Sequence, residues 1–559
     1  MKKQPPPRTP TKSDIESVRL VWLAAFVSFF SFLLYYRHGG VLLYGDAVAH
    51  INIARRVFDS KTPGLLQLGT VWLPLPHLLI MPFVVAKGMW QNGSGGSIPS
   101  MAGYVFGVMG IFRLARGLMS GGATEDGTAK IVAWAAALLY GANPNLIYMQ
   151  ATAMGESLYL ALFVWAVVHF AEFVRGEQPA LLKCGGCVAA ACLTRYDGWF
   201  LALAIIGGVV LVSLGRSRAR DEKTSPSAFS LARMTMSRMT IFKFVLLAAA
   251  GPAFWLAYNA AVYRNPLEFA NGPYSAKAIE QKTATVNPAK GSVLAAGAYF
   301  LKAAELNVGE ASWLGRLWLA LAGFGTLVAC FERRARVALL LWTPVPFYAL
   351  SVAYGSVPIF VPPWWPHSIY NVRYGLELLP AFAVFVPRAI SFLVQEAAKI
   401  RQVPIDWRRW TSASAGLVTV LLAGSSYAAI WRADPICYRE AAVNMRGRVQ
   451  LDQEVASWIK LLPPDSTLLM YLGEHVGALE QDGVPLKRVI NEGNHRVWKQ
   501  PRDPEGLWER ALADPAAYAD YAVGFEGDPV WTAARDHHLT ALVELHTTGQ
   551  PPAVIFQCR

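Results

Sequence analysis

The chain has 559 residues, 54% of them hydrophobic and only 16% charged, with a mean hydropathy of +0.31. Soluble domains carry about 25% charged residues, so the composition excludes a soluble globular protein over most of this length. The formal charge of +13 is uneven: residues 432–559 hold 13 basic and 18 acidic residues, a net of −5, which leaves +18 in the hydrophobic remainder. Positive charge between apolar runs reads as orientation in a membrane, not as nucleic-acid binding.

In chain order, residues 1–17 form an expected cytoplasmic tail with Lys2, Lys3, Arg8 and Lys12. The first apolar run, 18–36, is long enough to span and no A-x-A cleavage site follows it, so it is expected to be retained. Further runs lie near 101–119, 129–148, 155–174, 181–195, 198–215, 241–263, 313–331, 337–354, 374–395 and 411–431. The stretch 72–90, WLPLPHLLIMPFVVAKGMW, holds three prolines and is expected as a re-entrant or interfacial helix. Basic loops at 216–243, 332–336 and 399–409 belong on the cytoplasmic side by the positive-inside rule. Segments 37–100, 149–156, 194–199, 264–312 and 355–373 then gather on the outer face. The tail 432–559 follows on that face, with strand-like stretches at 466–472, 487–491, 521–525, 539–545 and 553–557 and helical ones at 451–462 and 505–513. The expected fold is an α-helical polytopic membrane protein of about eleven spans over 18–431, with outer loop 37–100, followed by a soluble α/β domain.

Ionisable groups at or within spans are costly and often functional. Asp46 follows the first span, with His50 one helical turn later and Arg55 and Arg56 after that. Glu156 opens a span. Arg195 and Asp197 sit at a break between two short spans, and Arg373 and Glu377 stand one turn apart near another span end. Each alone reads as a structural ion pair or a snorkelling end residue. Their shared placement on the outer face is what points to a site. An acid, an imidazole and guanidiniums at a membrane surface suit chemistry on a lipid-borne phosphate: a carboxylate deprotonates an acceptor, and arginine recognises phosphate while staying charged. Arg55 and Arg56 point about 100° apart on a helix, so one of them at most faces the site.

The ordered motifs GDAVAH, ARR, WLPLPHLL, NPNLIYMQATAMGESLY, LTRYDGWFL, YRNPLEF and YNVRYGLELLPAF resemble the GT-C superfamily of membrane glycosyltransferases. The branch is that related to protein O-mannosyltransferases and aminoarabinose transferases, and the resemblance covers about 18–431. It implies a polyprenyl-phosphate-linked sugar donor in membrane lipid and inverting transfer at the outer face of the cytoplasmic membrane. It also implies that Asp46 is the base, Glu156 the second acidic position and Arg373 the late arginine. On this basis Arg55 or Arg56, with Arg373, holds the donor phosphate, and His50, Arg195, Asp197 and Glu377 support. There are departures from the family pattern. Asp46 is followed by Ala47 rather than a second acid. Val71, Trp72 and Leu73 precede Pro74 where some relatives carry a metal-binding glutamate. No WWD motif is present. A divalent metal is left open, with His77, His50 and His367 as candidate nitrogen ligands.

The alternatives are a transporter or flippase for a lipid-linked or anionic substrate, and a receptor-like protein whose tail binds a partner. No inverted repeat or matched pair of broken helices supports the former, and the latter leaves the Asp46 loop unexplained. Cys437 and Cys558 are the tail's only cysteines and bracket it, so a disulfide between them is expected in an oxidising compartment. Cys184 and Cys187 form a CGGC within an apolar run and are expected to pack.

Overall fold

The computed structural model describes residues 12–119, 126–221, 238–283, 286–404, 408–445, 447–473, 475–494 and 505–559. Most of the expected N-terminal tail and of the basic loop 216–243 lies outside the described residues. All eleven apolar runs are helical. Among the described residues, nine helical segments are long and apolar enough to cross a membrane, and the chain is an α-helical polytopic membrane protein.

The helices that build the site are α1 (Lys12–Arg37), α2 (Gly45–Arg56), α3 (Pro74–Ile80), α4 (Lys87–Gln91), α5 (Ser94–Met119), α6 (Asp126–Gly141), α7 (Pro144–Gln150), α8 (Glu156–Val174), α9 (Ala180–Cys192) and α10 (Asp197–Asp221). The run 129–148 is not one helix. Asn143 stops α6 and caps α7, its side chain accepting from the N–H groups of Asn145 and Leu146 at 3.0 Å each. Pro144 takes the first helical position, where its missing N–H costs nothing. The proline-rich stretch 72–90 forms only the short α3 and the start of α4, joined by turns.

Helix packing sets which groups meet. A Cβ on Gly103 of α5 would lie 2.7 Å from the Cα of Leu158 in α8, so only glycine lets α5 close on the first turns of α8. Gly375 makes a similar approach: a Cβ there would lie 2.4 Å from the Ala303 backbone, which seats the turn Val372–Leu378 against the helix Val293–Val308. At one end of the bundle Arg113 pairs with Glu172, Arg116 with Glu16 at 3.6 Å, and Lys130 with Glu16. The start of α1 and the ends of α5 and α8 therefore share that end. The starts of α8 and α10 lie at the other, beside α2. In α9, Cys184 is buried and Gly185 packs on Leu247 and Phe244 of the helix Arg238–Tyr263.

Beyond the last span, the helix Ile436–Asn444 leads into a five-stranded mixed sheet. Its strands are β1 (Leu468–Met470), β2 (Val489–Ile490), β3 (Tyr521–Phe525), β4 (Thr540–Leu545) and β5 (Ala553–Gln557), in the order β2-β1-β3-β5-β4. β1 is parallel to β2 and β3, whereas β5 is antiparallel to β3 and β4. All five strand-like stretches seen in the sequence are strands.

The expected Cys437–Cys558 disulfide is absent: both thiols are free. Cys437 is drawn into the bundle, where its N–H donates to Asn145 Oδ1 at 2.9 Å and its thiol to Asn307 Oδ1 at 3.4 Å. Cys558 ends the strand paired between β3 and β4 and packs in a separate cluster with Trp508, Ala511 and Phe556. The two bracket the tail in sequence, but one belongs to the bundle core and the other to a different cluster in the tail.

Candidate active site

Three of the site's carboxylates start helices. Asp46, Glu156 and Asp197 lie in the first turns of α2, α8 and α10, where a helix N-terminus favours negative charge. Arg373 and Glu377 sit on the turn Val372–Leu378, which begins at Asn371 in the left-handed region (φ 56°).

These elements converge on one charge network. Arg373 donates from Nη2 to Asp46 Oδ2 at 2.6 Å and from Nη1 to Glu440 Oε1 at 2.8 Å, and its backbone N–H donates to Glu440 Oε2 at 3.1 Å. Its Nε lies 3.3 Å from Glu156 Oε1. Glu156 Oε1 is also met by Arg195 Nη1 at 3.0 Å, so one carboxylate oxygen bridges both arginines. Arg195 reaches Asp197 at 3.3 Å and Glu377 at 3.5 Å, and donates to the Tyr348 hydroxyl at 2.7 Å, which in turn donates to Asp197 at 3.2 Å. The Tyr374 ring lies 5.2 Å from each guanidinium carbon, in cation–π range of both.

Exposure differs sharply within the network. The Asp46 side chain is 39% exposed, whereas those of Glu156, Glu377 and Glu440 are at most 1% exposed. Asp46 is thus the carboxylate open to a ligand. Five carboxylates face two guanidiniums, and several acceptor atoms are left over: Glu156 Oε2, Asp197 Oδ1 and both Glu377 oxygens accept no hydrogen bond among the described residues. Buried acceptors are usually satisfied; these lie enclosed behind Asp46, out of reach of a ligand.

His50 and His77 form a second element. Their ring nitrogens Nδ1 and Nε2 are 2.8 Å apart, and Trp72 packs on His50 with centroids 4.9 Å apart. Burial pushes both imidazoles below the usual histidine range, His77 further, with the neighbouring Arg56 adding to the effect on His77. A neutral pair shares one hydrogen bond. His367 is elsewhere, its Nδ1 3.1 Å from Pro362 O on an exposed loop. Among the described residues no group of three histidine, cysteine or acidic side chains is arranged to hold a metal ion. The candidate metal ligands therefore do not fit a metal centre, and no step below uses one.

The paired arginines of α2 divide. Nine residues at 3.6 per turn put Arg55 about half a turn away from Asp46. It is spent on structure: Nε pairs with Asp59 at 2.9 Å, Nη1 donates to the carbonyls of Val84 and Val85, and the guanidinium lies over Trp90. Arg56 makes no ion pair among the described residues, and its Nε is buried without a partner. Arg373, also expected as a phosphate ligand, is enclosed by three carboxylates.

The structure thus joins Asp46, Glu156, Arg195, Asp197, Arg373 and Glu377, sets His50 and His77 beside them, and leaves Arg55, His367, Cys437 and Cys558 in other roles or places. It adds Glu440, Tyr348 and Tyr374. Glu440 escapes the sequence because it follows the last apolar run and reads as an acid of the soluble tail. The signal available was a carboxylate within three turns of a span end.

No family model matches the sequence, and no curated protein matches it. Among solved structures, ArnT from Cupriavidus metallidurans bound to undecaprenyl phosphate aligns at a TM-score of 0.53 and 15% identity, over 97% of this chain and 98% of that one. Its apo state aligns at 0.52 and 14%, over 98% of both chains. The archaeal oligosaccharyltransferase AglB from Archaeoglobus fulgidus, in complex with an inhibitory peptide and a dolichol-phosphate, aligns at 0.45 and 12%, over 98% of this chain and 74% of that one. The likeness to ArnT runs the length of both chains, bundle and tail together, and is one of fold. The chain therefore shares the fold of ArnT from end to end.

Proposed function

We propose that this protein is an inverting glycosyltransferase that moves a sugar from a polyprenyl-phosphate donor to an acceptor at the outer face of the cytoplasmic membrane. The observation that carries the proposal is the contrast within the network: a half-exposed Asp46 held at 2.6 Å by an arginine that buried carboxylates fix from behind. A rigidly held, accessible carboxylate is what a general base requires. The undecaprenyl phosphate bound by the ArnT of the same fold supports a lipid phosphate as the carrier.

In this mechanism the donor's tail lies in the bilayer with its phosphate at the interface. Asp46 takes the proton of an acceptor hydroxyl or amine as that atom attacks the anomeric carbon opposite the phosphate. The phosphate gains charge as it leaves, and Arg56 stabilises it. Asp46 and Arg56 are ten residues apart, about 15 Å along α2, and side chains lean towards the helix N-terminus. Arg373 sets the charge and orientation of Asp46 rather than gripping the phosphate. With Arg113, Arg116 and Lys130 at the opposite end of the bundle, the positive-inside rule supports an extracytoplasmic site and tail.

The test is release of free polyprenyl phosphate when the purified chain meets lipid-linked sugars extracted from bacterial membranes. Release that requires Asp46 supports the proposal. Binding of the donor with transport across a vesicle and no release would replace it with the transporter alternative.

A further inference from the structure

We propose that the C-terminal unit is the positioning partner of α2, and that Glu480 is its positioning residue; this rests on the role given to Asp46 above. α2 is tied to that unit along its whole length. At its start, Arg448 Nη2 donates to Leu43 O at 3.2 Å. In its middle, Asn52 Nδ2 donates to Glu480 Oε2 at 2.6 Å. Just past its end, Asp59 Oδ1 accepts from the Lys487 N–H at 3.1 Å. Tight contacts at both ends and the middle leave the helix little freedom to roll or slide.

The middle tie is the most specific. Asn52 is 2% exposed and Glu480 1%. The Asn52 amide is fully used: Oδ1 accepts from Trp90 Nε1 at 3.0 Å, and Nδ2 also donates to Val48 O at 2.8 Å. α2 is thus held between Trp90 on one side and a carboxyl group from another unit on the other. A buried acid is a costly device for ordinary docking, and an apolar pair would do that job without cost. What the acid supplies is a directional contact that fixes the rotation of α2 about its axis, and hence the aim of Asp46. The charged groups acting on Glu480 are Arg448 and Asp452 of the helix Arg448–Ile459; His475 lies 3.2 Å from Asp452, and Lys87 is beside Gly483, three residues on from Glu480. Burial pushes the Glu480 carboxyl up to about 8, so near neutrality the contact is a neutral acid accepting from an amide.

Hydrogen exchange of the full chain in detergent tests this, read in peptides covering 45–56. Glu480→Ala should speed exchange there by about tenfold or more, while strand 521–525 stays protected. Glu480→Gln keeps an acceptor for Asn52 and should exchange like the wild type. Asn52→Ala should speed exchange at least as much as Glu480→Ala, since it also removes the contacts with Trp90 and Val48, and adding Glu480→Ala to it should change nothing further. If Glu480→Ala does not fold, Asn52→Ala against Glu480→Gln makes the same comparison. In the polyprenyl phosphate release assay, Glu480→Ala should slow turnover and, because Arg56 rides on the same helix as Asp46, also weaken undecaprenyl phosphate binding. Unaltered exchange in 45–56 for the alanine variants, or a Glu480→Gln variant as loose as Glu480→Ala, would overturn the proposal. Exchange is read without substrate, so loss of the glycosyltransfer proposal would leave this result standing, and the converse also holds.

Discussion

Asp46 and Glu440 are joined through one guanidinium: Arg373 gives Nη2 to Asp46 at 2.6 Å and Nη1 to Glu440 at 2.8 Å. One acid belongs to the segment that follows the first span and the other to the entry into the C-terminal unit, 394 positions later in numbering. Glu440 is fully buried and uses both oxygens on Arg373. Removing one partner of a buried pair costs about 3–5 kcal/mol, because the other charge is left uncompensated. Glu440→Ala should therefore lower the unfolding temperature of the detergent-solubilised protein markedly, and Glu440→Gln much less. An alanine variant as stable as the wild type would show that Glu440 does not hold Arg373.

Asp46→Asn keeps the side-chain shape and a contact with Arg373 but removes the base. Polyprenyl phosphate release should fall by about 10²-fold or more, with thermal stability nearly unchanged. Near-normal release would remove Asp46 from the chemistry.

The two adjacent arginines should separate by phenotype. Arg56→Ala should weaken undecaprenyl phosphate binding by about 10- to 100-fold, the worth of a charge-assisted hydrogen bond, and leave stability alone. Arg55→Ala should do the opposite, since it strips Asp59 and the carbonyls of Val84 and Val85 of their donor. Native mass spectrometry for the lipid and thermal unfolding for the fold give the two readouts. The reverse assignment would falsify the phosphate role of Arg56.

Stability should carry the imprint of Glu480. Its carboxyl is raised from 4.5 to about 8 in the folded chain, so between those values the native state holds a proton that the unfolded state has lost. The contribution is complete below about pH 4.5 and is lost as pH rises to about 8, with a slope of up to about 1.4 kcal/mol per pH unit. The unfolding temperature of Glu480→Gln should fall less than that of the wild type between pH 5 and pH 8. Parallel curves would mean that the buried carboxyl does not titrate in this window.

Orientation can be read by single cysteines in a background lacking the native thiols. Suitable reporters are Leu461, 74% exposed in the C-terminal unit, and Ile400, 81% exposed at the opposite end of a span. In intact cells or spheroplasts an impermeant thiol reagent should label Leu461→Cys and spare Ile400→Cys. The reverse pattern would invert the topology.

The sequence by itself determined the elements. Eleven apolar runs had to become helices because backbone polar groups in a bilayer must be satisfied within the segment, and alternating β-branched stretches in the tail had to pair. It also singled out Asp46, Glu156, Arg195, Asp197, Arg373 and Glu377, because a charge at a span end is expensive enough to stand out. Tertiary structure alone decided who meets whom. Glycine-permitted closeness at Gly103 and Gly375 brought the helix starts together, and the fold-back of the helix Ile436–Asn444 delivered Glu440, whose partner is far away in sequence. Packing also assigned Arg55 to the carbonyls of Val84 and Val85, drew Cys437 away from Cys558, and set Glu480 against Asn52. None of these pairings has a local signature, since each joins residues tens to hundreds of positions apart in the chain.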